Sequence, residues 1–363
     1  MTIPLESEAR SSREPLLEVH DLQTHFFTRR GVGKAVDGVS FTVKRGETLG
    51  LVGESGSGKS MTCLSIVRLN PKPSSRIVSG EVRFRGTDLL HIPEDEMRAY
   101  RGRHIAMITQ DPGAALNPVF TIGDQVMESL RLRDDRPRGE VLRDKAIALL
   151  KLLRIPAPES RLKSYPHQFS GGMRQRVVGA IAMSRDPELI IADEPTTALD
   201  ATIQAAYLEV LKDLQRRYNL AIILVTHDFS IVASMCDRVA VMYAGQIVES
   251  ADKQTLFARS GHPYTTALLS SVPDVQVSVK RLPSIEGQPP SIFSPPSGCR
   301  FHPRCPLRKR LGNPARCADE APAIRELRTG QLVRCHFAEE NRQTPLPEDL
   351  VAPASGVAAP PPS

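Results

Sequence analysis

No apolar run in this chain of 363 residues approaches the ~20 that a helix needs to cross a bilayer. The stretch Met1 to Pro15 is polar and acidic and lacks the hydrophobic core of a signal peptide. The expectation is a cytosolic protein, which another subunit must hold if it works at a membrane. No segment repeats at a fixed period. Strong charge bias is missing too: 47 basic against 41 acidic residues leave a net +6. So small and dispersed an excess suits a nucleotide or phosphate ligand, a face toward anionic lipid, or nothing specific. It gives no argument for nucleic acid. The length allows one large core and a smaller unit.

What the chain does carry centres on Gly53-Glu54-Ser55-Gly56-Ser57-Gly58-Lys59-Ser60. An apolar run, Thr48 to Val52, precedes it and reads as a buried strand. A periodic stretch, Met61 to Leu69, follows and reads as a helix. Strand, glycine-rich turn and helix in that order are the setting of a phosphate loop. Gly53, Gly56 and Gly58 permit the tight turn, and the loop's N–H groups, Ser55 among them, converge on phosphate oxygens at a helix N-terminus. Lys59 can reach the β- and γ-phosphates, and the Ser60 hydroxyl can ligate Mg²⁺.

Around this loop the chain alternates strands and helices. Residues 1–15 read as a disordered lead. Leu16 to Leu22 alternates as a strand with Leu17, Val19 and Leu22 inward, and Ala35 to Val43 resumes after a turn at Arg29-Arg30-Gly31. An aromatic here can stack on adenine. Phe26 is the choice, Phe27 its near alternative, and a core phenylalanine the plain reading of either. Asn70 to Ser79 reads as a loop and Gly80 to Phe84 as a strand. Ile105 to Ile108 is another strand, from whose end Gln110 can reach a metal or a water.

Residues 115–180 read as a helical insert, with Ile122, Val126, Leu130 and then Leu142, Ala146, Leu149, Leu153 at helical spacing and a break from Arg133 to Gly139. Within the insert, Ser170-Gly171-Gly172 opens a helix. It is either a simple cap or a second anion site, held away from Lys59 and therefore suited to completion in trans. Leu189 to Ala192 is a buried strand ending in Asp193-Glu194-Pro195. Asp193 can hold Mg²⁺ through its water shell, and Glu194 can polarise the water that attacks the γ-phosphorus. Thr197 or Asp200 caps the next helix. The strand Leu220 to Val225 leads to His227. In a largely parallel sheet His227 shares a rim with Asp193 and Gln110 and can contact the γ-phosphate. Val239 to Tyr243 and Gln246 to Glu249 form a hairpin.

From Pro273 the composition turns to Pro, Ser and Gly, which reads as a linker, and from about Glu339 the chain reads as a disordered tail. Between them lie four of the six cysteines, Cys299, Cys305, Cys317 and Cys335. Cys63 and Cys236 stand alone as ordinary buried thiols. Four cysteines so close in a cytosolic chain suggest a metal before disulfides. No Cys-x₂₋₄-Cys pair of a compact zinc knuckle is present, and wider gaps let a chain wrap a larger inorganic core. A [4Fe–4S] cluster, Zn²⁺ and free or oxidised thiols all remain open on spacing alone. Arg300, Arg304 and Arg308 can offset thiolate charge. Any role would be a structural clip, far from hydrolysis.

Taken together, these motifs resemble the ATP-binding subunits of ABC transporters over about residues 16–270. Gly53 to Ser60 resembles Walker A, Gln110 the Q-loop, Ser170 to Gln175 the signature motif, Leu189 to Glu194 Walker B with its catalytic glutamate, Ala198-Leu199-Asp200 the D-loop at a dimer interface, and His227 the switch histidine. Phe169 stands where the family usually has leucine. A closer resemblance, to the oligopeptide, dipeptide and nickel importers, rests on Gln110-Asp111-Pro112, Leu116-Asn117-Pro118, Tyr165-Pro166-His167-Gln168, His262 to Thr265 and Gly298 to Pro306.

The resemblance implies a P-loop NTPase α/β fold with a helical subdomain. It also implies a small cysteine-containing extension over 271–338, which in this group can hold [4Fe–4S]. The function it implies is a transport-coupled ATPase of the translocase class, using ATP and Mg²⁺ at the cytoplasmic face of the membrane. The implied partners are a second, paralogous ATPase chain, two permease subunits and an extracytoplasmic binding protein. Peptides are the first expectation for cargo, nickel or another small solute the alternative. An ATP-driven clamp for DNA repair shares the site logic but needs a long coiled coil, and no sustained heptads occur. A translation-associated ATPase usually carries two cassettes in one chain.

Overall fold

The computed structural model describes residues 14–133, 137–197, 199–271 and 285–341. The readings of a disordered lead over 1–13, of Ala198, of the linker over 272–284 and of the tail from 342 lie outside the described residues, as does the centre of the helical break at 134–136.

In chain order the strands are β1 (Pro15–Thr28), β2 (Gly31–Lys44), β3 (Thr48–Val52), β4 (Ser75–Phe84), β5 (Thr87–Asp88), β6 (Ile105–Ile108), β7 (Leu189–Asp193), β8 (Ala221–Thr226), β9 (Arg238–Tyr243), β10 (Gln246–Asp252), β11 (Arg325–Arg328) and β12 (Gln331–Val333). β9, β3, β8, β7 and β6 lie side by side in parallel, and β10, β12 and β11 extend the β9 edge antiparallel. A second, antiparallel sheet runs β2-β1-β4-β5. β3, β7 and β8 are buried at every position. A strand covered on both faces has no polar side to present, so these three read as continuous apolar runs.

The period of two is still there, divided between two cores. Leu189, Ile191, Ile223 and Val225 pack with Leu17, Val36 and Ile66 under the antiparallel sheet. Ile190, Ala192, Ile222 and Leu224 pack with Leu150, Val177 and Leu211 of the helices on the other face. The helical insert contains Ile122–Arg131, Gly139–Leu152 and Gly171–Met183, which bury Val126, Leu130, Leu142, Ala146 and Val177. Thr121 opens the first of these with a reciprocal capping box to Asp124. Among the described residues no helix is long and apolar enough to cross a membrane.

Three differences from the sequence reading matter for the site. β1 runs past Leu22 to Thr28, so both Phe26 and Phe27 lie on a strand. Leu17, Val19 and Leu22 are all fully buried. β4 begins at Ser75, within the stretch read as a loop, because it pairs with Phe26 of β1. The cysteine region is not a separate unit: β12 pairs with β10 and continues the main sheet, Glu249 opposite Val333. Gln331 fixes that junction by donating to the buried Glu249 carboxylate (2.8 Å).

Candidate functional site

Because β3, β6, β7 and β8 are parallel, the residues at their carboxyl ends share one rim. A cleft of ≈ 900 Å³ opens there, lined by the phosphate loop, Phe26, Ala35, Gln110, Glu194 and His227. The loop's backbone needs its glycines. Gly53 (φ +151°) and Gly58 (φ +107°) occupy conformations that side chains rarely adopt. A Cβ on Gly53 would lie 2.2 Å from the Met242 carbonyl oxygen, and one on Gly58 2.4 Å from that of Ala35. Lys59, 5 % exposed, donates from Nζ to the Gly53 (2.8 Å) and Glu54 (3.0 Å) carbonyls. Burial lowers its pKa, against the opposing pull of Glu194 and Asp193.

The Ser60 hydroxyl donates to Asp193 Oδ1 (3.1 Å). Burial pushes the Asp193 carboxyl above its ordinary pKa, with the Ser60 hydrogen bond working the other way and Glu194 adding to the rise. A buried carboxylate touching a hydroxyl at the mouth of a phosphate loop is a set of hard oxygen donors of the kind Mg²⁺ takes. Glu194 sits one residue beyond β7 with its backbone in the left-handed region (φ +46°). Its Oε2 accepts from Thr197 Oγ1 (2.9 Å) and Gln110 Nε2 (3.2 Å), and its Oε1 lies 3.4 Å from His227 Nδ1. Residues from the ends of β6, β7 and β8 therefore meet on one carboxylate.

The remaining sequence-predicted residues divide. Phe26 lines the cleft, while Phe27, on the opposite face of β1, has the Arg76 guanidinium 5.3 Å above its ring. Ser170 accepts from the Met173 N–H (3.3 Å) as an N-cap, and Ser170-Gly171-Gly172 are not among the cleft-lining residues of their own chain. A Cβ on Gly172 would lie 2.3 Å from Ile203 Cγ2, so the start of this helix packs closely on its neighbour. Asp200, rather than Thr197, caps the helix Ala201–Tyr218, accepting from Ile203 N–H (3.0 Å).

The expected metal centre in the extension is not there. Among the described residues no group of three or more His, Cys, Asp or Glu side chains is placed to hold a metal ion. Cys299, Cys305, Cys317 and Cys335 are free thiols that border one enclosed space of ≈ 10 Å³. That is about the room one water needs, not four irons with their sulfides. Burial raises all four thiol pKa values, to about 11 for Cys299 and about 12 for Cys335. Two of the three arginines are engaged elsewhere than expected: Arg300 bonds Asp37 and the Ala244 carbonyl, and Arg304 bonds Glu54, while Arg308 does favour the thiolates of Cys305 and Cys317.

That last contact is one the sequence reading missed. Arg304, with its side chain 6 % exposed, forms a bidentate pair with Glu54 of the phosphate loop (2.8 and 3.0 Å). Burial works against its charge, but the hydrogen bonds to Glu54 and Tyr243 more than offset this and raise its pKa. The Glu54 N–H in turn donates to the Tyr264 hydroxyl (2.8 Å). The extension thus braces the phosphate loop instead of lying far from it. No local signal joins residues so distant in sequence.

His262 gives this brace a pH dependence. It caps the helix Pro263–Ser270, its Nδ1 accepting from Tyr264 N–H (3.1 Å), while its backbone N–H donates to Glu249 (2.9 Å). Burial, aided by Arg334, lowers its pKa to about 3. The unfolded chain takes up a proton near pH ~6.5 and the folded chain does not. The neutral cap's stability is therefore complete above that pH and drains away as pH falls toward the folded value, by roughly 1 kcal/mol per pH unit. Thermal melts between pH 7 and 5 should show a steeper loss for the wild type than for His262→Asn, which keeps an acceptor but cannot titrate. Equal slopes would refute this.

Comparison with known proteins agrees with this geometry. The family model "ABC transporter" matches residues 36–197, and "Oligopeptide/dipeptide transporter, C-terminal region" matches 248–310. A probable peptide ABC transporter ATP-binding protein, y4tR of Sinorhizobium fredii, is 49% identical over 326 residues, covering 90% of this chain and 96% of that protein. The dipeptide transport ATP-binding protein DppD of Bacillus subtilis is 49% identical over 295 residues, 81% of this chain and 88% of its own length. Among solved structures, the dimeric post-hydrolysis state of the ATP-binding cassette MJ0796 bound to ADP and Pi superposes with a TM-score of 0.57. It is 26% identical and covers 65% of this chain and 98% of that one.

Proposed function

This chain belongs to the ATP-binding subunits of ABC transporters, in the oligopeptide/dipeptide group, and on that membership we propose that its ATPase activity drives peptide import through partner membrane subunits. The observation that carries the reading is the convergence of Lys59, Ser60, Asp193, Glu194, Gln110 and His227 on one rim. In this reading 16–270 form the ATPase unit, with a helical insert at about 115–180, and 271–338 its extension.

The division of labour follows from the geometry. The N–H groups of Gly53, Ser55, Gly56 and Gly58 cradle the phosphates, and Lys59 turns from the loop carbonyls to the β- and γ-phosphates. Ser60 and Asp193, with Gln110, hold the Mg²⁺ that accompanies ATP. Glu194 takes the proton of the attacking water, and His227 and Gln110 orient Glu194 toward the γ-phosphate. Phe26 offers its face to the adenine ring.

Ser170-Gly171-Gly172, exposed at Ser170 and Gly171 and away from their own cleft, complete the γ-phosphate site of a second cassette packed head to tail, with Asp200 at the interface. The second cassette is a paralogous chain, the pair sits under two permease subunits at the cytoplasmic face of the membrane, and an extracytoplasmic binding protein delivers the peptide.

Beyond Gln110 and the short helix Pro112–Ala115, Val119 and Phe120 are 72% and 53% exposed. An apolar pair on the surface of the segment that follows a γ-phosphate sensor in the chain suits a permease contact that senses closure. Vesicles reconstituted with the partner permeases should accumulate a labelled dipeptide in an ATP-dependent way. Phe120→Asp should keep nucleotide binding but reduce accumulation about tenfold or more, as loss of an interface anchor worth ≥ 2 kcal/mol implies. Undiminished uptake would remove the docking site. Absence of peptide uptake with the wild type would remove the import reading.

A further inference from the structure

The chain returns to the nucleotide cleft after residue 284, and we infer that this returning segment is the base-and-ribose wall of the nucleotide site, with Arg304 as the residue that positions it. The inference rests on the reading of the cleft as an ATP site. Gln288, Pro289 and Ile292 line the same cleft as Phe26 and Lys59. The wall is pinned at two ends. The Lys34 N–H donates to the Ile292 carbonyl (2.8 Å), fastening the segment to β2. Arg304 donates from Nε to the Glu286 carbonyl (2.9 Å) while its two Nη groups hold the Glu54 carboxylate. One buried guanidinium therefore connects the start of the wall to the phosphate loop.

The fit at the first pin is close. A Cβ on Gly33 would lie 2.9 Å from Ile292 Cδ1 and 3.0 Å from Phe293 Cε1, so glycine at this position lets the segment seat against β2. The chemistry of the two sides of the cleft also differs. The loop side presents an ammonium and backbone N–H groups, which suit phosphate. On the β1–β2 side Phe26 lies opposite Gly33, against which Ile292 packs, and Phe26 and Ile292 with Pro289 and the Gln288 amide line the cleft as suits the flat apolar faces and polar edge of a nucleobase. The extension is thus part of the ligand site and not an appendage. A nucleoside triphosphate should sense it, whereas a bare triphosphate should not.

The test uses the full-length chain with Mg²⁺ and two ligands, ATP and inorganic tripolyphosphate, measured by calorimetric titration. The double variant Gln288→Ala/Ile292→Ala changes side chains at the cleft surface. It should weaken ATP binding about tenfold, equivalent to ~1.4 kcal/mol, and leave the affinity for tripolyphosphate within about twofold of the wild type. Arg304→Met, which also leaves the Glu54 carboxylate of the phosphate loop unpaired, should weaken both ligands but ATP several-fold more than tripolyphosphate. Arg304→Lys should not rescue it, since one ammonium cannot span both Glu54 oxygens and the carbonyl. Lys59→Ala serves as the reference and should weaken both ligands. Unchanged ATP binding in the double variant, or equal losses for both ligands, would overturn the wall while leaving the nucleotide site intact. If Lys59→Ala binds both ligands as the wild type does, the nucleotide reading itself falls, and the wall with it.

Discussion

Glu194→Gln should bind MgATP with wild-type affinity and hydrolyse it some 10²–10⁴-fold more slowly, the range that a positioned general base contributes. The substitution is nearly isosteric. Glutamine Oε1 can still accept from Thr197 Oγ1 and Gln110 Nε2, which lie 2.9 and 3.2 Å from one carboxylate oxygen. What goes is the charge that pulls a proton from the attacking water. The backbone at this residue, at φ +46°, is held in a region that costs a non-glycine residue on the order of 1–3 kcal/mol. That strain aims the side chain away from the β7 ladder and into the cleft, and glutamine inherits it. With ATP bound and not consumed, two cassettes should remain associated, as an ATP-dependent shift to the pair on size exclusion. Single-turnover hydrolysis within tenfold of the wild type would take the role of general base from Glu194.

Wherever the chemistry sits on a contiguous stretch, the sequence was legible. The phosphate loop and the strand ends at Gln110, Asp193 and His227 each combine an apolar run with polar residues at its carboxyl end, and parallel pairing then brings them to one rim. Pattern failed where alternation is broken or where pairing is long-range. In β1 the register shifts between Val19 and Leu22, with Asp21 at φ +44°, so simple alternation cannot be carried from Leu17 to Phe26. Opposite that bulge Gly80 leaves room that a Cβ would fill, 2.6 Å from the Leu22 Cα.

β11 and β12 are too short for a period to emerge, and β12 belongs to the main sheet only through its pairing with β10. Closeness of the four cysteines in sequence does not fix the space between them, and among the described residues their placement forms no group that could hold a metal ion. Arg304 stood in the same stretch and was read with the cysteines. Its geometric partner, Glu54, belongs to the phosphate loop.

Lys59→Ala should lower affinity for MgATP about 100-fold, because two hydrogen bonds from a charged donor are each worth about 1.5–3 kcal/mol and only part of that is offset by relieving the buried charge. In the wild type the ammonium is already positioned: Nζ is held at the hollow of the loop by the Gly53 and Glu54 carbonyls, and the alkyl stem is buried. Burial favours the neutral amine while Glu194 and Asp193 favour the ammonium, so a triphosphate entering the loop adds to the anionic side of that balance. The charge is therefore strengthened when the ligand binds, which alanine cannot reproduce. Thermal stabilisation by ligand reads this directly. At a concentration 100 times the wild-type Kd, ATP stabilises the wild type by about 2.7 kcal/mol, and a 100-fold weaker variant by only about 0.4 kcal/mol. The melting shift with MgATP should thus nearly vanish in Lys59→Ala, while the melting temperature without nucleotide serves as the control for folding. A full ligand-induced shift in the variant would mean that the triphosphate binds elsewhere.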